Sequence, residues 1–289
     1  MLAEAIRAGG GRVVDPGGAE ALVWTDPMDA EALAALLAAA PGIRWVQLPF
    51  AGIDRFVPVL DTVHTWTSAK GSYSEPVAEH ALALALAGLR QFPMRARARD
   101  WGPQAGRRLM GGRVTIVGGG GITEALLRLL GPFRVAATVV RRQTTAMAGA
   151  IRVLPPGHLH DALAGADVVV LALALTAETT GIMAAPELAR MEPHAWLVNV
   201  ARGPHVVTDD LVAALQAGTI GGAALDVTDP EPLPAGHPLW DLDNCLITPH
   251  SANPWTTAEP LLAERVRQNV ERYRRGEPLL GVVDPALGS

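Results

Sequence analysis

Three residues whose side chains could act together on a carbonyl each follow a separate apolar run. Arg202 lies within Asn199-Val-Ala-Arg-Gly-Pro, Glu231 follows Ala223-Ala-Leu-Asp226-Val-Thr-Asp-Pro, and His250 closes Leu246-Ile-Thr-Pro-His. Hydride arriving at a carbonyl carbon builds negative charge on the oxygen, and a histidine in its imidazolium form can supply the proton that quenches it. A carboxylate beside the ring fixes one tautomer and favours the charged form. A guanidinium can fork two donors onto a substrate carboxylate and polarise the adjacent carbonyl. Singly, these residues read equally well as a loop cation, a turn carboxylate and a capping histidine. Jointly, at the ends of three strands of an open α/β sheet, where such sheets bind ligands, they make one set for carbonyl reduction. This chemistry needs no metal, and His158 and His160 are read as a structural pair with no carboxylate or cysteine set around them.

A hydride needs a donor, and Val114-Thr-Ile-Val-Gly118-Gly-Gly120-Gly121-Ile122-Thr123 reads as a strand, a glycine turn and a helix start. Gly118 suits the tight turn and Gly120 lets the main chain approach a pyrophosphate, whose charge the helix N-terminus favours. Thr123 stands where the dinucleotide fingerprint has its third glycine, the point of close helix-to-strand packing. About twenty residues on, where an NAD site places an acid on the ribose, the chain has Arg141-Arg142. Two guanidiniums suit a 2′-phosphate, so NADP is the expected cofactor, with NAD as the lesser possibility.

The elements that must position these residues are legible as alternation. In the first part of the chain, 1–11 reads as a helix end closed by glycines, 12–14, 21–24 and 44–48 as strands, and 29–39 as a helix. A helix begins close to Pro76 and runs to residue 89. Six further apolar runs (113–117, 134–140, 167–173, 195–200, 222–225 and 245–247) alternate with helical patterns, notably 124–130 and 208–217. A last helix over 256–275 ends at Gly276. The pattern predicts an α/β protein of two doubly wound parallel-sheet domains: a Rossmann dinucleotide-binding domain over 73–253 and a smaller flavodoxin-like substrate domain from 1–72 plus 254–289, with the active site in the cleft between them.

Composition supports that class. A chain of 289 residues, 49% hydrophobic, can supply two cores, and a net charge of −5 argues against a nucleic-acid partner. Cys245 is the sole cysteine, which excludes an internal disulfide and a multi-cysteine zinc site and points to the reducing cytoplasm. The apolar stretch 168–175 is far short of the ~20 residues that span a bilayer, and no signal-peptide pattern opens the chain, so no membrane partner is expected. Seven arginines between Arg90 and Arg113 read as a solvated face or linker, with a subunit-contact arm as the rival reading. Lys70, the only lysine, has no surroundings that suggest Schiff-base chemistry.

Ser74-Glu-Pro-Val-Ala-Glu-His-Ala-Leu-Ala-Leu, the glycine turn, Leu197-Val-Asn-Val-Ala-Arg-Gly-Pro, Ala224-Leu-Asp-Val and Ile247-Thr-Pro-His-Ser together closely resemble the D-2-hydroxyacid dehydrogenase family, in register from about Trp45 to His250. The resemblance implies hydride transfer between NAD(P)H and a small 2-oxo acid, giving the D-2-hydroxy acid, as in glyoxylate/hydroxypyruvate reductases. It implies that His250 is the acid/base, Glu231 its partner and Arg202 the carboxylate anchor. It further implies that the loop at Phe50-Ala51-Gly52-Ile53 offers backbone N–H groups to the substrate, that Asp226 lies beside the nicotinamide, and that the protein is a homodimer built on its dinucleotide domains. The expected cofactor contacts are Gly118, Gly120, Gly121, Ile122, Arg141, Arg142, Thr176, Val200 and Asp226; the expected substrate contacts are Ala51, Gly52, Arg202 and His250. Two departures stand beside Thr123 and Arg141. The chain begins inside the first helix where family members usually have a preceding strand, which implies an abbreviated small domain or a displaced start. His194 occupies a turn where the family often has glycine. The competing readings are a non-catalytic dinucleotide-responsive binding protein on the same fold and a Rossmann domain for another nucleotide-like ligand.

Overall fold

Short runs of Val, Leu, Ile and Ala buried on both faces form parallel strands, because a strand covered by helices on each side needs no polar alternation. The computed structural model describes residues 1–285. In chain order these form α1 (Leu2–Ala8), β1 (Ala21–Val23), α2 (Ala30–Ala39), β2 (Trp45–Gln47), β3 (Thr65–Thr67), α3 (Ser74–Leu89) and α4 (Phe92–Arg97). There follow β4 (Arg113–Val117), α5 (Gly121–Leu130), β5 (Ala136–Val140), β6 (Arg152–Leu154), α6 (Leu159–Leu163), β7 (Val168–Leu171) and α7 (Ala185–Leu188). The series closes with β8 (Trp196–Asn199), α8 (Thr208–Gln216), β9 (Gly222–Leu225), β10 (Cys245–Ile247) and α9 (Trp255–Arg275). The chain divides into two compact units, one comprising Met1–Tyr73 and the segment from Asn253, the other Ser74–Ala252.

The smaller unit is built on a three-stranded parallel sheet in the order β1-β2-β3. Leu33, Ile43, Val46, Leu48, Phe56 and Trp66 form its core. Asp29 caps α2 by accepting the Ala32 N–H at 2.7 Å, a contact worth about 1 kcal/mol. Buried Gln47 ties the sheet to α9, its Oε1 accepting from the Thr67 hydroxyl at 2.9 Å and the Asn269 amide at 3.0 Å. Residues 12–14, expected as a strand, are irregular and belong to no sheet among the described residues; Val13 and Val14 are about half exposed. β3 was not anticipated, since three residues of Thr-Trp-Thr carry no length of periodicity.

The larger unit holds a seven-stranded parallel sheet in the order β10-β9-β8-β7-β4-β5-β6. The order reverses between β4 and β7, and that reversal opens a crevice at the strand C-termini. β6 is an unanticipated edge strand, three half-buried or exposed residues paired with β5. One apolar cluster joins α3 and α5 to one face of the sheet, and a second fills the other face. Helix α3 lies close across β8 and β9 because Gly88 and Gly222 carry no side chain: a Cβ at either would come within 2.5 Å of the Trp196 indole. That close seating brings the first turns of α3 to the C-terminal end of β9, where the chemistry-bearing residues lie. Among the described residues, no helix is long and apolar enough to cross a membrane.

Candidate active site

The glycine turn after β4 works through main chain. Gly118 has φ 117°, and a Cβ there would stand 2.1 Å from the Ala172 carbonyl oxygen at the end of β7, so both conformation and space demand glycine. A Cβ at Gly120 would meet nothing within 4 Å, and this residue caps α5 with no side chain over the helix N-terminus. Gly121 is the first residue of α5, with half-buried Ile122 next to it. Thr123 fills the third-glycine position without spreading the contact, because its fully buried hydroxyl donates to the Gly118 carbonyl at 3.0 Å. Open main chain facing a helix N-terminus fits a dinucleotide pyrophosphate.

Arg141 and Arg142 follow β5 directly. The Arg141 side chain runs over the glycine turn, its Cδ standing 2.2 Å from where a Gly119 Cβ would be. Its Nη2 donates to the Thr145 carbonyl at 2.7 Å and hydroxyl at 2.6 Å, while its Nε is buried without a hydrogen-bond partner. Arg142 is exposed. A buried guanidinium N–H lacking an acceptor beside the glycine turn fits an anionic ligand group. Thr176, after β7, is folded into a tight loop by its N–H to the Thr179 hydroxyl at 2.8 Å, and Val200 is a buried residue at the end of β8.

The second half of the site is made of side chains. Arg202 leaves the end of β8 in a turn clamped by Asn199, whose amide donates to the Arg202 carbonyl at 2.8 Å and whose oxygen accepts the Ala201 N–H at 3.0 Å. The fully buried His205 supports the same turn: its Nδ1 lies 3.1 Å from the Arg202 main-chain nitrogen and 3.0 Å from the Arg202 carbonyl oxygen, and its Nε2 lies 3.3 Å from the Ala174 carbonyl oxygen. Arg202 Nη1 donates to the Ala201 carbonyl at 2.7 Å. On the next strand pair, His250 Nδ1 lies 2.7 Å from Glu231 Oε1, with both side chains partly exposed. Arg202, Glu231 and His250 thus follow β8, β9 and β10, three adjacent strands of one sheet.

Asp226, expected to line the cofactor, is 2% exposed and has both carboxylate oxygens engaged within the protein. Oδ1 accepts from the Thr248 hydroxyl at 2.5 Å and the Ser251 N–H at 2.8 Å, and Oδ2 from the Ala252 N–H at 3.0 Å. His80 on α3 places Nε2 3.3 Å from Oδ1 and 3.0 Å from the Thr248 hydroxyl. Burial alone would raise the Asp226 carboxyl, but hydrogen bonds from His80, Thr248 and the Ser251 and Ala252 N–H groups hold it below the ordinary carboxylate range.

Ala51 and Gly52 belong to the smaller unit, in the loop after β2; that loop is fixed by the Tyr73 hydroxyl donating to the Pro49 carbonyl at 2.7 Å and by the Ala69 N–H donating to the Phe50 carbonyl at 3.0 Å. Among the other histidines, His158 and His160 each have a carboxylate after all, Asp161 at 2.9 Å and Glu187 at 2.8 Å. These pairs are separate, and no cluster of three or more potential metal ligands occurs among the described residues. His194 bonds Asp167 at 2.8 Å beyond the N-terminal ends of the strands, away from this site. Burial pushes the Cys245 thiol up to about 12, so it is an inert core residue.

His80, His205 and Thr248 were not singled out from the sequence. His80 and Thr248 lay within the motif stretches, but only packing reveals what they hold.

Residues 80–252 match the profile described as D-isomer specific 2-hydroxyacid dehydrogenase, NAD binding domain. The glyoxylate reductase of Thermofilum pendens is 32% identical over 270 residues, covering 88% of this chain and 77% of that one. A glyoxylate/hydroxypyruvate reductase A of Klebsiella pneumoniae is 30% identical over 275 residues, covering 93% and 86%. Among solved structures, a D-isomer specific 2-hydroxyacid dehydrogenase from Xanthobacter autotrophicus in complex with NADPH aligns with a TM-score of 0.83 at 32% identity, over 99% of this chain and 94% of that one.

Proposed function

Because the chain belongs to the D-isomer-specific 2-hydroxyacid dehydrogenase family, we propose that it reduces glyoxylate, hydroxypyruvate or a close relative to the D-2-hydroxy acid, with NADPH preferred to NADH. It is an oxidoreductase that moves hydride between a nicotinamide dinucleotide and a small 2-oxo or 2-hydroxy acid. The observation that carries the residue assignment is the 2.7 Å pair of His250 and Glu231, which follow β10 and β9, the latter adjacent to β8, which delivers Arg202.

The nicotinamide, when bound, supplies the hydride. Glu231 holds His250 at Nδ1, so Nε2 gives a proton to the carbonyl oxygen in reduction and takes it from the hydroxyl in oxidation. Arg202 binds the substrate carboxylate and polarises the carbonyl, its turn held by Asn199 and His205. Ala51 and Gly52 donate main-chain N–H groups to the same carboxylate. Gly118, Gly120, Gly121, Ile122, Thr176 and Val200 cradle the dinucleotide, and Asp226 acts beside it by holding the segment that carries His250. Arg141 and Arg142 take the 2′-phosphate, a reading supported by the buried Nε of Arg141 and by the Xanthobacter autotrophicus relative in complex with NADPH.

The protein is further assigned to the cytoplasm as a homodimer; support comes from its single cysteine and from Phe92 and Trp101, 58% and 94% exposed on the arginine-rich segment. Relatives named as reductases argue against the non-catalytic reading. The test is NADPH and NADH oxidation with a panel of 2-oxo acids. Oxidation dependent on a 2-oxo acid and faster with NADPH is expected; no such dependence with either cofactor overturns the activity, and equal rates overturn the preference.

A further inference from the structure

His250 has φ 48°, in the left-handed region, which is strained for a residue with a Cβ and persists only where the surroundings over-determine it. The determinants are visible on both sides of it. The His250 N–H donates to the Asp226 carbonyl at 2.8 Å, and the Thr248 N–H to the Leu225 carbonyl at 2.9 Å. The Asp226 carboxylate takes the Thr248 hydroxyl before the histidine and the Ser251 and Ala252 N–H groups after it. A single buried carboxylate therefore grips the backbone that aims the imidazole.

His80 completes that grip. The one proton of the Thr248 hydroxyl goes to Asp226 Oδ1 at 2.5 Å, so toward His80 the oxygen is an acceptor and Nε2 must carry hydrogen. Nε2 then donates to Thr248 at 3.0 Å, with Asp226 Oδ1 at 3.3 Å as a second acceptor. The donor comes from a rigid element, since the flanking Ala78 and Ala81 are fully buried and α3 is seated on the sheet through Gly88. The acid/base chemistry itself does not use His80.

We propose that His80 is a positioning residue for the reaction: by donating through Nε2 to Thr248 and Asp226, it fixes the segment 248–252 and so the placement of the His250 ring. The proposal rests on the reading of His250 as the acid/base. Without His80 the Thr248 oxygen loses its donor and Asp226 one of its partners, while Glu231 still holds the ring at Nδ1. Displacement of a reacting group by about 1 Å can cost up to ~100-fold, and the remaining restraint by Glu231 sets the expectation nearer tenfold.

The experiment compares the full-length parent with His80→Leu, His80→Gln, Thr248→Val and Thr248→Ser in single-turnover NADPH oxidation at saturating glyoxylate, alongside NADPH affinity and melting temperature. His80→Leu and Thr248→Val should slow turnover about tenfold with NADPH affinity within about twofold of the parent, while His80→Gln and Thr248→Ser, which keep a donor and a hydroxyl, recover most of the rate. In a His250→Ala background, His80→Leu should cause no further loss. Parental turnover in His80→Leu overturns the proposal, whatever Thr248→Val does. So does a loss that persists undiminished in the His250→Ala background, because His80 would then act elsewhere. Parental turnover in His250→Ala alone overturns the acid/base reading instead, and the positioning role with it. Where His80→Leu folds poorly, His80→Phe, which keeps an aromatic ring and removes the donor, is read by the same criteria.

Discussion

The two halves of the site are built from different materials. At the ends of β4 and β5 the surface is main chain, shaped by Gly118 and Gly120 and joined by one long arginine side chain. At the ends of β8, β9 and β10 it is side chains, each braced by another: Arg202 by Asn199 and His205, His250 by Glu231 and by the residues that grip its backbone. A main-chain surface tolerates a changed side chain where a new bond replaces lost space, as Thr123 shows by folding its hydroxyl onto Gly118. A side-chain constellation depends on buried neighbours far apart in sequence. Damage to the first half should therefore appear in cofactor affinity or stability, and damage to the second in turnover.

The sharpest way to break that division is at its catalytic end. His250→Ala should lower turnover by roughly a hundredfold or more in both directions while NADPH affinity stays near parental, checked by steady-state kinetics and a binding titration. Arg202→Lys should raise the KM for the 2-oxo acid and lower kcat/KM by on the order of tenfold or more, since one ammonium cannot reproduce a two-pronged contact. On the main-chain side, Arg141→Ala should weaken NADPH by about tenfold, leave NADH nearly unchanged, and show a loss that shrinks as salt rises. An effect of Arg141→Ala on turnover at saturating NADPH would blur the comparison.

The smallest effect concerns stability. Asp226 is held below the ordinary carboxylate range, so its contribution is full above that range and is lost as pH falls through the lowered value. Asp226→Asn should cost about 1–3 kcal/mol near neutral pH, and the gap to the parent should narrow on acidification, read by denaturant unfolding across pH. A gap that widens as pH falls would show that the charge is not what the buried donors hold.

What the sequence made legible follows from the same contrast. The glycine turn could be read because its function needs only main chain and a helix start, both local. Arg202, Glu231 and His250 could be read because each directly follows a strand or its turn. His80 and His205 could not, because their contacts arise from α3 seating on β8 and β9 and from the turn after β8 reaching the Ala174 carbonyl. The two unanticipated strands, β3 and β6, are three residues long and too short for any period to emerge. Val13-Val14 misled for the opposite reason: a strand-like composition that joins no sheet among the described residues.

The central claim, that this chain reduces a 2-oxo acid with His250 as its proton donor held by Glu231, is tested most directly by glyoxylate-dependent NADPH oxidation at saturating substrates for the parent and Glu231→Gln side by side, with NADPH affinity measured by titration. The account predicts a Glu231→Gln variant with much lower turnover and intact NADPH affinity. A Glu231→Gln variant with parental turnover would contradict it.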